Sequence, residues 1–341
     1  MVSRSGARIT LIQTIGPPFG PWYVSAAWSM AHLLARPARP APRLLARQRQ
    51  LLHLLDALGS SFAAPGFVHL LVLYCDEASS KAPYVFVPHH GGAFSFTLEA
   101  DRRKLSEIGL LEDGDTWAIT EAGRDAIGRV RDLKCAVFVR RYHELHGDRL
   151  LSEVFRRHPF LGIRTALAER VLQDDEASRV KLAEARRVPF GGGLATVGYE
   201  GHSVESYLNV LLQGGVTLLC DVRHNPLSRK SGFSKGPLAR ACALMGITYE
   251  HLPELGVASA ERQRLETAAD YSDLFARYER DWHSQQESSV ERIVGWIRKG
   301  ERVALTCYER EVSECHRGVV AKRVLERLKR TPAPDSALRC E

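Results

Sequence analysis

From Leu194 to His251 the chain alternates short apolar runs with helical stretches, and this alternation limits the fold more than any other feature. Leu194–Val197 reads as a strand. Ser203 stands where it caps a helix that presents Tyr207, Leu208, Leu211 and Leu212 on one face. Val216–Val222 reads as a second, buried strand, a helix falls near Pro237–Met245, and Thr248–His251 reads as a third strand. A last strand, Arg302–Thr306, precedes a final helix over about Glu314–Lys329. Strands separated by helices pair in parallel with right-handed crossovers, so residues 189–341 are expected to form an α/β domain with a mostly parallel sheet.

In such sheets ligands bind where strand C-terminal ends meet helix N-termini. Each polar cluster of this half falls at such a point. The first is Gly198-Tyr199-Glu200-Gly201-His202-Ser203. The second runs from Asp221-Val222-Arg223-His224-Asn225-Pro226 on to Ser228, Arg229, Lys230, Ser234 and Lys235. The third is Glu254-Leu255-Gly256, and the fourth runs from Cys307 to Arg317. Polar groups are costly to gather without a partner, so the four turns are expected to form one pocket. Arg223, Arg229, Lys230 and Lys235, with His316 and Arg317 at a helix start and Tyr199 beside them, point to an anion as part of the ligand. Glu200 and Asp221 are the candidate acid/base pair, or could hold a divalent ion beside a phosphate. Asp221 could instead simply clamp Arg223. His202 and His224 read equally well as surface or capping residues.

The stretch CYEREVSECHR, residues 307–317, admits four explanations. It could be a metal site, a disulfide, a reactive thiol, or two core thiols beside a helix cap. C-x7-C-H offers at most three ligands, two of them adjacent, so its spacing argues against zinc and no metal is expected. Cys315, at a helix start beside His316 and Arg317, sits where a thiol pKa is expected to fall, which makes it a candidate nucleophile. Cys307, ending a buried strand, reads as a small hydrophobe.

These clusters also carry a family resemblance. The motifs are T-V-G-Y-E-G at 196–201, D-V-R-x-N-P-x-S-R-K at 221–230, G-F-S-K at 232–235, Y-x-H-L-P-E-L-G at 249–256, D-Y-x-x-L-F-x-x-Y at 270–278, and T-C-Y-E with C-H-R at 306–317. In this order, over about residues 194–330, they resemble the domain of unknown function 488 family. The resemblance implies where the site lies and not which reaction it runs. The D-V-R strand end and the late strand followed by cysteine also look distantly like a rhodanese-type sulfurtransferase, although the loop EREVSECHR lacks that family's glycine-rich sulfur cradle. The expected fold is therefore Rossmann-like or distantly rhodanese-like.

Residues 44–188 read as mainly helical. Leu51, Leu52, Leu54, Leu55 and Leu58 line one helix face, Phe67–Leu73 starts a buried helix, and a third over about Thr97–Leu110 turns Leu98, Leu105 and Ile108 inward. A turn at Asp113-Gly114-Asp115, a strand at Trp117–Ile119 and a cap at Thr120 follow. This pattern resembles the wing of a winged helix-turn-helix domain over roughly residues 45–135. In that fold the helix before the wing enters the major groove. Here it carries Arg102, Arg103 and Lys104, the candidate DNA contacts, although many such domains serve only in protein interaction. The glycine run 191–193 marks a domain boundary, and no lysine-serine/threonine pair follows it to make a phosphate loop.

The net charge of +7 is unevenly spread. Residues 1–50 hold seven arginines and no acid, residues 51–190 hold 19 bases against 20 acids, and residues 191–341 hold 21 against 20. The basic excess thus lies in the N-terminal arm, which with the ARPARPAPR segment is expected to be a disordered leader over residues 1–43. The seven cysteines are scattered, odd in number and without a CxxC, the usage of a reducing cytoplasm. No run of eighteen apolar residues suggests a membrane helix, and no well-formed signal cleavage site is present. The expectation is an intracellular protein that acts on nucleic acid or a nucleotide, with DNA or RNA as the possible partner. A thiol-dependent sulfur-transfer or redox protein and a non-enzymatic DNA-binding regulator are the alternatives. No cofactor class and no oligomeric state is read from the sequence.

Overall fold

Leu and Phe residues at helical spacing decide the first half of the chain. In a computed structural model that describes residues 43–59, 61–77, 82–128, 132–189, 191–258, 261 and 267–330, helix α1 spans Ala46–Ala57 and buries Leu51, Leu52, Leu54 and Leu55. Strand β1 (Ser61–Ala63) leads into α2 (Ala64–Glu77), whose Phe67 and Leu70–Cys75 are buried. A hairpin of β2 (Val87–His89) and β3 (Gly92–Phe94) follows, which the sequence reading did not foresee. Helix α3 (Phe96–Glu107) comes next, then β4 (Leu111–Glu112) and β5 (Thr116–Ile119). Strands β1, β5 and β4 form an antiparallel sheet in that order. The Thr120 hydroxyl accepts from Gly123 N at 2.9 Å and starts α4 (Glu121–Ile127) as the capping pattern predicts. Gly123 is required: a Cβ there would stand 2.3 Å from the Leu110 carbonyl oxygen. Helices α5 (Leu133–Tyr142), α6 (Gly147–Arg157), α7 (Ala166–Val171) and α8 (Glu176–Ala185) complete this half.

The second half is a four-stranded parallel sheet. Its strands are β6 (Gly193–Gly198), β7 (Leu218–Asp221), β8 (Thr248–His251) and β9 (Arg302–Cys307), in the order β6-β9-β7-β8. Numbered within this half the order is 1-4-2-3, which differs from the 3-2-1 of a mononucleotide-binding half. The crossovers are α9 (Val204–Gln213), α10 (Lys235–Leu244), the pair α11 (Ala268–Arg280) and α12 (Ser284–Arg298), and α13 (Arg317–Arg330) closes the domain. Alternate residues of the central strands face opposite layers. Leu219 and Ala304 pack with α9 and α10, whereas Leu218, Cys220, Val303 and Leu305 pack with α12 and α13. Covering on both faces explains why β7 and most of β9 are buried and, up to Asp221 and Thr306 at their ends, apolar.

The halves interlock within one compact body that begins at Leu44. Val87 of the hairpin belongs to the α9/α10 core, and Asn209 Nδ2 donates to the Phe86 carbonyl at 2.9 Å. Glu205, in the first turn of α9, accepts from Ser95 Oγ at 3.1 Å and Thr97 N at 2.7 Å. A carboxylate from one half thereby satisfies one orphan backbone donor at the start of α3 in the other, Thr97 N, and the hydroxyl of its cap residue Ser95. Among the described residues no helix is long and apolar enough to cross a membrane. The basic leader up to residue 42 and Cys340 lie outside the described residues.

Candidate functional site

The C-terminal ends of β6, β7 and β9 surround a cavity of about 580 Å³. Two glycines let the turns close in. At Gly198 a Cβ would stand 1.8 Å from the Glu309 carbonyl oxygen, and at Gly256 it would stand 1.9 Å from His224 N. Only a residue without a side chain lets the β6 turn meet the β9 turn, or the turn after β8 meet the one after β7.

Of the predicted residues, Tyr199, Arg223, Arg229 and Lys230 line this cavity, together with His224. Arg223 is held from three sides. Asp221, fully buried, accepts from Arg223 Nε at 2.8 Å and from Nη2 at 2.5 Å. Nη1 donates to Tyr199 Oη at 2.9 Å and to the Phe233 carbonyl at 3.0 Å. Tyr249 adds a 2.6 Å hydrogen bond to Asp221 Oδ2. Burial works against the arginine's charge, but the hydrogen bonds and charge of Asp221 outweigh it and raise its pKa. Burial, with the Asp221 charge, also pushes the Tyr249 phenol up, so it stays a donor. Asp221 is thus the clamp for Arg223. It is not among the residues that line the cavity, and both its oxygens accept hydrogen bonds, the clamp arrangement that the sequence left open beside the acid/base one.

Glu200 is also placed outside the cavity lining. Its Oε2 accepts from Arg310 N at 3.0 Å, while Glu200 N donates to the Tyr308 carbonyl at 2.9 Å, so it ties the β6 turn to the β9 turn. Lys235, expected on the anion, meets His251 Nδ1 at 3.2 Å; His251 Nε2 lies 2.8 Å from the Arg223 carbonyl, to which it donates. Arg317 is 1% exposed and donates to the carbonyls of Glu309 and Arg310 at 2.5 and 2.7 Å. These two bonds fix the loop, while its buried Nε makes no hydrogen bond among the described residues.

The cations that remain at the cavity are Arg229 and Lys230. Lys230 Nζ donates to the Tyr199 carbonyl at 3.0 Å. Arg229 is exposed and has no ion-pair partner among the described residues. The β9 side supplies Cys307, Tyr308 and Glu309, the last being the one acid of the lining. Tyr308 is 45% exposed and packs edge-on against Tyr199, whose ring stacks on Phe233 at 4.5 Å. Tyr308, Glu309, Phe233, Tyr249 and His251 were given no role on sequence grounds. Their only signal was membership of the quoted motifs. Burial lowers the His202 pKa, and the charges of Lys230 and Arg310 lower it further, as a positive field around this turn requires.

Beside the cavity, Cys307 Sγ, Cys315 Sγ and His316 Nδ1 all lie within 4.8 Å of one another, and all three residues are buried. Adjacency of Cys315 and His316 does not separate their ligand atoms as the spacing suggested, because both precede α13 where the chain turns inward against the end of β9. His316 Nε2 lies 2.9 Å from the Val222 carbonyl and must donate to it, so in the neutral ring Nδ1 faces the two sulfurs, at 3.9 and 4.0 Å. Burial pushes the Cys315 thiol up, and neighbouring Cys307 adds to this, whereas Arg317 opposes it only weakly. The expected activation of Cys315 by its helix start is therefore corrected: the neutral thiol is favoured.

On α3, Arg102 is paired with Glu99 and Asp113. Arg103 lies 3.4 Å from Glu99 and Lys104 lies 3.5 Å from Glu107; both are exposed.

Residues 203–324 match the family model described as "Domain of unknown function DUF488". The match spans α9 to α13 and includes every cavity residue except Tyr199. No curated protein and no solved structure matches the chain.

Proposed function

We propose that the strand-end cavity binds a nucleotide, free or at the end of a nucleic-acid strand. The phosphate would meet Arg229 and Lys230, and the base would lie against Tyr308. The observation that carries this reading is an exposed arginine without an ion-pair partner among the described residues, lining the same cavity as an exposed tyrosine. A phosphate gains charge-assisted hydrogen bonds from such cations, and a base gains stacking on an aromatic face. The clamped Arg223, with Asp221 already balancing its charge, would act mainly as a rigid wall and donor frame. The first half, with its α1-β1-α2-α3-β4-β5 order and its β1-β5-β4 sheet, supports a winged-helix module with an inserted hairpin. Because Glu205 already occupies the start of α3, a nucleic-acid contact from that helix would be left to Arg103 and Lys104. A thiol-transfer chemistry draws no support from the buried, neutral Cys315. Titration calorimetry with nucleoside monophosphates, the matching nucleosides, and oligonucleotides with or without a 5′-phosphate tests the reading. Binding that requires both phosphate and base is expected; no heat with any of them at low salt would overturn it.

A further inference from the structure

The sulfur and nitrogen atoms beside the cavity form a set that neither the family match nor nucleotide binding accounts for. Cys307 ends β9, and Cys315 and His316 precede α13, so one ligand comes from a strand end and two from the following turn. We propose that Cys307, Cys315 and His316 bind one divalent transition-metal ion of the zinc type, with Glu309 at its fourth position.

Geometry agrees with this assignment. Zinc held at about 2.3 Å from sulfur and about 2.0–2.1 Å from nitrogen sets those ligands roughly 3.6 Å apart. The two sulfur–nitrogen separations are 3.9 and 4.0 Å, so closure needs a movement of a few tenths of an ångström. The imidazole is already oriented as a ligand: its Nε2–H is fixed on the Val222 carbonyl, and its Nδ1 lone pair points at the sulfurs. Metal-bound histidines characteristically hold their second nitrogen in this way. Glu309 Oε2 lies 3.1 Å from Cys307 Sγ and belongs to the cavity lining, but it stands outside the mutual 4.8 Å set of the other three atoms, so its side chain has to turn toward Cys315 and His316 to complete a tetrahedron.

Charge also balances. Binding replaces the two thiol protons, which pass to solvent, and two thiolates neutralise the ion. The carboxylate then leaves a net charge of −1, and the buried Arg317, whose charge already acts on Cys315, lies beside it. The ion itself supplies the positive charge that favours thiolate ligands over thiols at such a site. Soft sulfur with imidazole selects zinc-type ions over magnesium or calcium. The inference stands on this cluster alone and does not depend on what the cavity binds.

The test is metal analysis of the full chain expressed without a histidine tag, followed by cobalt substitution of the same protein. One ion per chain is expected, with the tetrahedral and thiolate-to-cobalt absorption bands of a two-sulfur site. Cys307→Ser and Cys315→Ser should each lose the ion, while Cys242→Ser, a buried cysteine outside the cluster, keeps it. If a serine variant fails to fold, the cobalt spectrum of the unmodified chain still decides. Native protein that takes up neither zinc nor cobalt under reducing conditions would overturn the proposal, and so would a bound ion without thiolate bands.

Discussion

Arg223 and Asp221 form a two-pronged ion pair, 2.8 Å at Nε and 2.5 Å at Nη2, with both residues nearly or fully buried. A buried pair is strongly destabilised by the loss of one partner, because the other charge is left unpaired. Asp221→Asn is therefore expected to cost roughly 3–5 kcal/mol, read from the urea midpoint. Tyr249→Phe removes only one donor to the same carboxylate and should cost about 1–3 kcal/mol. If Asp221→Asn left stability unchanged, the carboxylate would not be the clamp described.

Gly198 is the point at which the β6 and β9 turns touch. Gly198→Ala places a methyl group against the Glu309 carbonyl, where backbone has to move. A loss of about 1–3 kcal/mol is expected, together with loss of nucleotide binding, since Tyr308 and Glu309 move with that turn. Normal binding in a correctly folded Gly198→Ala protein would show that the close approach is not needed.

The junction between the halves depends on Glu205, which serves the start of α3. Glu205→Ala should cost about 1–2 kcal/mol, the usual effect of removing a helix-capping acceptor. Hydrogen exchange should localise the loss to the amides of Thr97 and its neighbours.

Buried thiols, Cys75, Cys135 and Cys242 among them, make stability fall in alkali. Burial pushes Cys75, Cys135 and Cys242 up to about 12 each. Their folded pKa values exceed those of the unfolded chain, so their contribution is complete below about pH 8.5 and declines as the pH rises towards the folded values. Each thiol should remove about 1.4 kcal/mol per pH unit in that window. Comparing urea midpoints at about pH 8 and pH 10 checks this, and Cys242→Ala should lessen the fall.

Strand ends, helix caps and the turns that line the strand-end cavity were legible in the sequence because they rest on local patterns. Leu194–Val197, Thr248–His251 and the Thr120 and Ser203 caps lie where periodicity and capping chemistry put them. The β2–β3 hairpin was not legible, since two three-residue strands around His-His-Gly-Gly are too short for a period-two signal. Nor could the sequence separate occupied charges from open ones. Asp221, Arg317 and Arg229 all read as polar residues at strand or helix ends, and only packing shows that the first two are used internally. Side-chain convergence was equally hidden: C-x7-C-H gives no hint that a chain turn brings all three ligand atoms together.

The most direct measurement is nucleoside monophosphate affinity of the wild-type chain against Arg229→Ala. Arg229 is exposed, so its removal should change stability by no more than about 0.5 kcal/mol. A charge-assisted contact to phosphate is worth about 1.5–3 kcal/mol, so affinity should fall roughly ten- to a hundredfold, while the weaker affinity of the nucleoside is unaffected. Equal affinity of the two proteins for the monophosphate would contradict the placement of a phosphate at this cavity.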